Sequence, residues 1–461
     1  MTDSPLAVVV LAAGQGTRMK STIPKVLHPI GNQPMLQHVL NVADAIGAVK
    51  KIVVVAPNAA EVEKLAAAHG AQTIVQEKQL GTGHAVAATE AALKGFDGTL
   101  LVLFGDTPLL TAATLKALVS RLGHDAEIAA LGFRAEDPTG YGRMVCDGDR
   151  LHAIVEHRDA TAEERLIDLC FAGILAADAK ALFDLLRRVK NQNTQGEFYL
   201  TDVIALARGI GLSSTPVEGS AEEMMGVNSH SQLAEAEAAY QARRRSEMME
   251  AGVSFAAPET VFLSADTVIE QGARIGPYVV FAPGVTVRSG AEIKAFSHLE
   301  GAEVGKGAIV GPFARLRPGA ILREDVHVGN FVEVKNATLE SGVKANHLTY
   351  LGDAHVGAGS NIGAGTITCN YDGFGKYRTE IGENVFVGSN TALVAPVSLG
   401  NDSVIAAGSV VTKNVEADAL AIDRGQQRNL VGGAAQIRAN AKARQEKRQV
   451  KEAIKEQEKK G

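Results

Sequence analysis

A glycine-rich turn near the start of the chain is the first segment whose residues could do chemistry. Residues 11–18 read Leu-Ala-Ala-Gly-Gln-Gly-Thr-Arg and are followed by Pro24 and Lys25. The glycines at 14 and 16 let backbone N–H groups approach an anion closely, and Arg18 and Lys25 add positive charge. The third glycine of the dinucleotide-binding fingerprint and the GK[ST] ending of a P-loop are both missing. The turn therefore predicts a polyphosphate site of another kind, although glycines at this spacing also occur in plain strand-to-helix turns.

Polar groups also follow two later apolar runs. Residues 76–85 read Gln-Glu-Lys-Gln-Leu-Gly-Thr-Gly-His-Ala and offer amide, hydroxyl and backbone groups suited to reading a nucleotide base. Asp106 lies just beyond the run at 100–104. Magnesium takes one or two protein oxygens and completes its shell with water and phosphate, so a carboxylate at this place is a natural ligand. Since a lone aspartate at a strand end is as often a helix cap, the combination of segments is what favours a nucleotide site.

In the second half of the chain, polar residues interrupt a monotonous repeat. His347 could act as a general base, because imidazole is the side chain best matched to proton abstraction near neutral pH. Arg317, Lys335 and Lys376 could together bind a phosphate, whereas each alone is typical of a solvated surface cation. A single histidine on a repeat is usually structural, so these residues stay candidates until a wider pattern links them.

The elements that must position the first group of residues are strands and crossover helices. From about residue 6 to 206, short β-branched runs alternate with stretches rich in Ala and Leu. Near-continuous apolar strands need helices on both faces, so we expect a doubly wound, Rossmann-like α/β domain with ligands at the carboxyl ends of its strands. The predicted strands cover residues 6–11, 51–56, 100–104 and 127–133.

From residue 261 onward the hydrophobic period changes to six. Glycine follows many of the repeated residues, which is the hexapeptide signature of a parallel β-helix. Three hexads make one triangular coil, and a coil has no core until the next one stacks on it. The frame jumps between Thr368 and Ile381, so residues 370–378 are predicted to leave the prism as a loop. The repeated positions are Ile269, Ile275, Phe281, Val287, Ile293, Leu299, Val304, Val310, Leu316, Leu322, Val328, Val334, Val356, Ile362, Ile381, Val387, Leu393, Leu399, Ile405 and Val411.

A helical segment separates the two halves. It is rich in Ala, Glu and Arg, with Ser229 or Ser231 able to cap its start and Gly252 able to end it. Its run of arginines at 243–245 predicts a solvated helix face rather than a nucleic-acid patch. We expect four regions: an α/β domain over 1–228, a helical linker over 229–251, a β-helix domain over 252–437 and a charged tail over 438–461.

Composition narrows the classes of function. The chain has 461 residues, of which 46% are hydrophobic and 21% charged, and a formal net charge of −6. That balance gives no general attraction to nucleic acid, and no apolar run approaches the roughly 20 residues that a membrane helix needs. The three cysteines lie far apart without metal-ligand spacing, which suits a reducing compartment. We expect a cytoplasmic protein that binds small molecules, with no nucleic-acid partner and no membrane insertion.

Taken together, the motifs resemble a known enzyme family. LAAGQGTRM at 11–19, Pro-Lys at 24–25, GTGHA at 81–85 and Gly-Asp at 105–106 occur in this order in the sugar-phosphate nucleotidyltransferases. HLTYLGD at 347–353 and ITCNYDG at 367–373 resemble the acetyltransferase half of the bifunctional N-acetylglucosamine-1-phosphate uridyltransferase and glucosamine-1-phosphate acetyltransferase family. The likeness extends to about residue 430. It implies a nucleotidyltransferase domain followed by a left-handed β-helix, and synthesis of UDP-N-acetylglucosamine in two steps.

The resemblance also implies the co-substrates, the metal and the assembly. N-acetylglucosamine 1-phosphate would attack the α-phosphorus of UTP with Mg²⁺ bound, and pyrophosphate would depart. His347 would remove a proton from the 2-amine of glucosamine 1-phosphate as the amine attacks acetyl-CoA, with Glu333 as a candidate orienting partner. The coenzyme A groove of this family lies between the prisms of a trimer, so we expect a homotrimer.

Site residues carry over from the family position by position. In the front half, the resemblance assigns nucleotide binding to Leu11, Ala12, Ala13, Gly14, Gln76, Gly81 and Thr82, the phosphates to Arg18 and Lys25, the metal to Asp106 and Asn228, and the amino sugar to Gly142, Glu156, Phe171 and Tyr199. In the back half, it assigns glucosamine 1-phosphate to Arg317, Lys335, Tyr350, Asn361 and Lys376, and acetyl-CoA to Ala364, Asn370, Tyr371, Ser389, Ala407 and Arg424.

One departure and two alternatives accompany this reading. The family has an Asn touching the sugar near residues 169–173, and Phe171 occupies that place here. Another sugar-1-phosphate nucleotidyltransferase with a β-helix tail, such as an ADP-glucose or GDP-mannose pyrophosphorylase, would give no reason for His347. A catalytically silent scaffold would not need the predicted phosphate, metal and base residues.

Overall fold

The computed structural model describes residues 4–123 and 126–458. Its front half combines one large sheet with flanking helices. Its strands are β1 (Leu6–Ala12), β2 (Pro29–Ile30), β3 (Gln33–Pro34), β4 (Lys50–Val55), β5 (Gln72–Val75), β6 (Thr99–Phe104), β7 (Ile128–Arg134), β8 (Arg143–Asp147), β9 (Arg150–Val155), β10 (Leu169–Asp178) and β11 (Ser214–Glu218). Its helices are α1 (Met35–Ala45), α2 (Ala60–Ala68), α3 (Thr82–Ala87), α4 (Ala112–Ser120), α5 (Ala179–Leu186), α6 (Asp202–Gly209) and α7 (His230–Glu250), with 3₁₀ turns at Thr17–Met19, Lys25–Leu27, Glu90–Leu93 and Glu164–Leu166.

The large sheet has the order β11-β7-β10-β6-β1-β4-β5, with β8 and β9 attached beside β10. Alternate residues of β1 enter two separate hydrophobic cores, one on each face of the sheet, so both faces are covered as a doubly wound fold requires. The predicted α/β class is confirmed, and β1, β4, β6 and β7 match the four predicted strands within one residue at each end. The sheet is mixed, however, because β10 runs antiparallel to both β6 and β7.

The helix α7 joins the two halves and contacts both. Ser229 caps its start by accepting a hydrogen bond from the backbone N–H of Gln232. Gln241 is buried and exchanges two hydrogen bonds with the backbone of Leu263, at the start of the β-helix. The arginines at 243–245 were predicted to be a solvated face, but two of them donate to backbone carbonyls on either side of the helix. They are half-buried bridges between the halves.

The back half is a triangular prism of short parallel strands. Its strands are β12 (Ser254–Phe255), β13 (Val268–Ile269), β14 (Arg274–Ile275), β15 (Val280–Phe281), β16 (Thr286–Val287), β17 (Glu292–Ile293), β18 (His298–Leu299), β19 (Ala302–Val304), β20 (Ile309–Val310), β21 (Arg315–Leu316), β22 (Ala320–Leu322), β23 (His327–Asn330), β24 (Glu333–Leu339), β25 (Lys344–His347), β26 (Tyr350–Val356), β27 (Asn361–Ile362), β28 (Ile367–Cys369), β29 (Thr379–Ile381), β30 (Phe386–Val387), β31 (Ala392–Val394), β32 (Val397–Leu399), β33 (Val404–Ile405), β34 (Val410–Val411) and β35 (Leu420–Ala421), with a 3₁₀ turn at Pro258–Thr260.

Three ladders of these strands form the faces of the prism. One face runs from β12 through β14, β17, β20, β23, β25, β27, β30 and β33 to β35, and the strands β24 and β26 are long enough to turn a corner between the other two. Every repeated aliphatic or aromatic residue predicted to point inward is buried, and together they form one continuous core. The predicted left-handed β-helix is confirmed. The chain leaves the prism between β28 and β29, where the loop at 370–378 was predicted.

The last described element is a long helix, α8 (Gly433–Glu458), which is exposed over residues 434–452. Among the described residues, none of the helices combines the length and the apolar character that crossing a membrane requires.

Candidate active sites

A cavity of about 480 Å³ opens at the carboxyl ends of the central strands of the front sheet. Its wall includes most of the residues assigned to the nucleotide and the amino sugar: Leu11, Ala12, Ala13, Gly14, Lys25, Gln76, Gly81, Thr82, Asp106, Gly142, Glu156, Phe171 and Asn228. Arg18 lines an adjoining cavity of about 360 Å³, which shares Gly14, Lys25 and Asn228 with the first. The position agrees with the rule that ligands of open α/β sheets collect at strand carboxyl ends.

The glycine turn after β1 folds back over Lys25. Gly16 has a φ of 58°, and a Cβ atom there would lie 2.8 Å from Lys25 Cβ, so a side chain at this position would be strained and crowded. Lys25 Nζ donates to the Asp106 carboxylate and, at 3.1 Å, to Asn228 Oδ1. Arg18 donates to the same amide oxygen at 2.9 Å. Two oxygen ligands and two cations are thus gathered at one point beside the turn.

The loop before α3 is shaped by close packing against residues 197–199. Gly81 has a φ of 111°, and a Cβ atom there would lie 2.6 Å from the carbonyl oxygen of Phe198. The buried amide of Gln76 donates to the Gly81 carbonyl at 3.2 Å and lies 3.0 Å from His84 Nδ1. Thr82 Oγ1 accepts a hydrogen bond from the backbone N–H of Leu200 at 3.0 Å. These contacts fix the loop on the cavity wall.

The far end of the cavity carries a half-buried carboxylate, that of Glu156, beside an apolar ring. Glu156 Oε1 accepts a hydrogen bond from the Thr201 hydroxyl at 3.2 Å. Burial raises the pKa of Glu156, and the hydrogen bond from Thr201 only partly offsets that rise. Phe171 lies on the same wall and is 8% exposed. This end of the cavity therefore offers a strong hydrogen-bond acceptor and a flat apolar surface.

Tyr199 does not lie among the residues that form the cavity wall. Its ring is buried, and its hydroxyl accepts a hydrogen bond from Gln195 Nε2 at 2.8 Å. The neighbouring Glu197, Leu200 and Thr201 line the cavity instead. Sequence reasoning missed Thr201, although a hydroxyl two residues beyond an assigned position on the same segment was a usable signal.

In the prism, the candidate base lies at a corner. His347 is exposed at the end of β25, and its Nδ1 atom is 2.9 Å from Asn330 Oδ1. Backbone hydrogen bonds pair the same corner in successive coils, from Leu348 N–H to Asn330 C=O at 3.0 Å, from Asn390 N–H to Ala364 C=O at 2.7 Å, and from Gly408 N–H to Ser389 C=O at 2.9 Å. Gly365 N–H likewise donates to His347 C=O at 3.4 Å, so the corner positions are Asn330, His347, Ala364, Ser389 and Ala407.

The predicted pairing of Glu333 with His347 is corrected by these contacts. Glu333 accepts a hydrogen bond from Arg317 at 2.8 Å and lies 3.8 Å from a nitrogen of Arg315. The hydrogen bond to Glu333 is the main reason why the pKa of Arg317 is raised. Glu333 thus orients a cation, and the imidazole has a different partner, Asn330.

Lys335 of β24 and Lys376 of the loop at 370–378 lie side by side. Lys335 has a lowered pKa, chiefly because the ammonium of Lys376 lies beside it. Asp353 lies near both: burial acts to raise its pKa, but hydrogen bonds from Asn336 and Asn370 and the charges of the two lysines outweigh burial and lower it. Neighbouring like charges are unfavourable unless an anion joins them, so the pair is suited to a phosphate.

The residues assigned to coenzyme A lie on an open surface of the single chain. Ser389 and Ala407 are exposed, Ala364 is half-buried, and Arg424 donates to the Ala407 carbonyl at 3.1 Å. In the loop at 370–378, Asn370 is buried against Asp353, whereas Tyr371 is exposed. Asn361 and Tyr350 lie half-buried at the starts of β27 and β26.

Comparisons with known proteins agree with the two halves. Residues 8–197 match the model of the MobA-like NTP transferase domain, and residues 378–413 match the hexapeptide repeat of succinyl-transferase. The chain is 52% identical to the bifunctional protein GlmU of Paramagnetospirillum magneticum, covering 97% of this chain and 100% of that one. It is 54% identical to the protein of the same name from Bradyrhizobium sp., covering 97% of this chain and 100% of that one. It is 55% identical to the Rhodospirillum rubrum protein, covering 94% of this chain and 97% of that one.

Fold and matches define the class: a nucleotidyltransferase domain fused to a hexapeptide-repeat acyltransferase. Because the identity is about one half over nearly the full length, the particular family follows. The chain belongs to the GlmU family of bifunctional proteins. The predicted function is thereby confirmed: the chain is a bifunctional transferase of UDP-N-acetylglucosamine synthesis, with uridyltransferase and acetyltransferase activities. The readings as another pyrophosphorylase or as a silent scaffold lose their support.

Proposed function

We propose that the two half-reactions are divided between the cavity of the α/β domain and the His347 corner of the prism. The support for this assignment is that complementary groups occur in two separate places: oxygen ligands with cations in the cavity, and an exposed imidazole bonded to Asn330 on the β-helix domain, which also carries the Lys335–Lys376 pair. We place the boundaries of the domains at residues 228, 251 and 437, so that α7 is the linker.

In the cavity, Asp106 and Asn228 would hold Mg²⁺. Their oxygens fit a small divalent cation because both already accept hydrogen bonds from one ammonium group, that of Lys25. When bound, the metal would neutralise phosphate charge. Arg18 and Lys25 would contact the phosphates of UTP. The base would contact Gln76, Gly81 and Thr82, and a hydroxyl of the sugar would contact Glu156. The sugar phosphate oxygen attacks the α-phosphorus in line, the bond from the α-phosphorus to the bridging oxygen breaks, and pyrophosphate departs. Positioning and charge neutralisation carry this transfer.

At the prism corner, His347 would act as the base of acetyl transfer. The phosphate of glucosamine 1-phosphate would bind Lys335, Lys376 and Arg317, with Tyr350 and Asn361 beside the sugar. The 2-amine attacks the thioester carbonyl, His347 takes the amine proton, and the carbon–sulfur bond breaks to release coenzyme A. Acetyl-CoA would lie along Ala364, Ser389 and Ala407, with Asn370, Tyr371 and Arg424 at its sides.

We further propose a homotrimer that works in the cytoplasm. The coenzyme A surface is open in one chain, and a column of exposed, stacked rings (Tyr278, Phe296, Phe313 and Phe331) runs beside the same corner, so a neighbouring prism would cover both. Three free cysteines suit a reducing compartment. Small-molecule substrates account for both sites, without nucleic acid or membrane.

Two variants test the division of labour. Purified protein receives glucosamine 1-phosphate and acetyl-CoA in one assay, and N-acetylglucosamine 1-phosphate with UTP and Mg²⁺ in another. Asp106→Ala is expected to lose pyrophosphate release and keep acetyl transfer, and His347→Ala the reverse. Loss of both reactions in either variant, with unchanged thermal unfolding, would contradict two independent sites.

A further inference from the structure

Asn330 lies one coil away from His347 and touches its imidazole. The two residues are direct partners in the parallel pairing of β23 with β25. Asn330 Oδ1 lies 2.9 Å from His347 Nδ1, and the Asn330 carbonyl accepts the backbone N–H of Leu348 at 3.0 Å. We propose that Asn330 is a positioning residue for acetyl transfer, which holds His347 in the tautomer that leaves Nε2 free to accept the substrate proton.

The chemistry of the amide decides the tautomer. A carbonyl oxygen can only accept a hydrogen bond, so the Nδ1 atom facing Asn330 Oδ1 must carry the proton. A neutral imidazole has one such proton, and its Nε2 atom is then an unprotonated base. When Nε2 takes the proton of the attacking amine, the Nδ1–H bond to Asn330 becomes charge-assisted and strengthens. Asn330 therefore acts through His347 and not on the substrate.

The backbone holds both partners in place. A Cβ atom at Gly329 would lie 1.9 Å from the carbonyl oxygen of Asn346. The backbone segments that precede Asn330 and His347 are therefore in direct contact, with no room for a side chain at residue 329. On the other side, the Thr349 hydroxyl donates to the His347 carbonyl at 2.8 Å. The two side chains thus project from fixed, adjacent positions, which is the arrangement that keeps a base in a productive geometry.

The inference rests on the proposed role of His347, and the variants separate the two. Asn330→Ala removes the acceptor, whereas Asn330→Asp keeps an acceptor that cannot donate. Asn414→Ala is the control, because Asn414 also uses its amide oxygen on the prism, as an acceptor for the Ser398 N–H, outside the catalytic corner. Acetyl transfer is measured with both substrates varied, and thermal unfolding and trimer content are recorded for each variant.

The expected result is a fall of about tenfold in kcat for Asn330→Ala, the factor that corresponds to about 1.4 kcal/mol, with KM values nearly unchanged. Asn330→Asp is expected to stay within about threefold of the parent, and Asn414→Ala to match it. An unchanged kcat in Asn330→Ala, or a loss in Asn330→Asp as deep as in Asn330→Ala, overturns the inference. Retained acetyl transfer in His347→Ala would instead overturn the proposed role of His347.

The tautomer itself can be observed. Histidine-selective ¹⁵N labelling of the 461-residue chain gives signals for 12 histidines, and those absent from His347→Gln belong to His347. We expect the His347 signals of the parent and of Asn330→Asp to show Nδ1 protonated and Nε2 unprotonated, and those of Asn330→Ala to shift toward a mixture. A parent protein with the proton on Nε2 would refute the inference, whatever the kinetics show.

Discussion

The ammonium group of Lys25 occupies the place between Asp106 and Asn228 where we propose that magnesium binds. Both side chains of the Lys25–Asp106 pair are 13% exposed, so the pair is largely shielded from water. Lys25 would have to leave these oxygens for a metal to bind there, and it would then be available to contact phosphate. We therefore predict that replacing Lys25 by Met makes the free protein bind Mg²⁺ more tightly, while uridylyl transfer becomes slower.

The magnitude is estimated from the attraction between two unit charges. Unit charges about 4 Å apart attract by about 4 kcal/mol at an effective dielectric constant of about 20. Desolvation and the ordering of the lysine offset most of this attraction, so we take a net value of about 1.4 kcal/mol, which is about tenfold in Mg²⁺ affinity. Loss of a charged phosphate contact should lower kcat by about a hundredfold or more.

Calorimetric titration of the free protein with MgCl₂ measures the first effect, and pyrophosphate release the second. Lys51→Met is the matched control, because Lys51 is 12% exposed and pairs with Asp44 away from the cavity. It should leave both quantities unchanged. If Lys25→Met weakens Mg²⁺ binding or leaves it at the parental value, the competition between lysine and metal is refuted.

Three further predictions concern the sugar pocket and the prism core. Phe171→Asn should raise kcat/KM for N-acetylglucosamine 1-phosphate by up to about tenfold, because the amide adds one hydrogen bond to the sugar. Phe171→Leu should give no such rise, and equal kcat/KM values in the two variants would contradict a hydrogen bond at this position. Leu316→Ala should lower the free energy of unfolding by about 2–5 kcal/mol, because Leu316 is fully buried. Leu420 is exposed, so Leu420→Ala should change this free energy little, and denaturant titration measures both. Burial raises the folded-state pKa of Glu156, so the folded protein loses stability as pH rises above the ordinary value of 4.5 and does not regain it at higher pH. Glu156→Gln should therefore melt at a higher temperature than the parent at pH 8, and the difference in melting temperature should vanish near pH 4.5. A difference that grows toward acid pH would contradict a raised pKa for Glu156.

The repeat made the prism predictable from sequence. A period of six with inward aliphatic residues admits few folds, and the loop at 370–378 was visible as a break in the frame. The strand ends of the α/β domain were predictable for a similar reason, because long apolar runs stop where ligand-binding residues begin. The direction of β10 was not, since an apolar run reads the same in parallel and antiparallel sheets.

Contacts between side chains were less accessible than their approximate location. Glu333 was chosen as the partner of His347 on family resemblance, and the structure shows it bonded to Arg317 instead. Asn330 was missed because neighbours in a solenoid are one coil apart in sequence. The strand register supplies the missing signal: residues 330 and 347 are paired directly.

The corner positions from Asn330 to Ala407 follow one another at a regular interval along the prism of the acetyltransferase half. Each coil adds one step of about 4.8 Å along the prism axis, and Arg424 reaches the last residue of the row. Removing or inserting a whole coil between His347 and Arg424 would shorten or lengthen the surface proposed for the acyl donor by one such step. The contacts of His347 would stay the same. A prism of this kind could thus adapt to longer or shorter donors by gaining or losing complete turns.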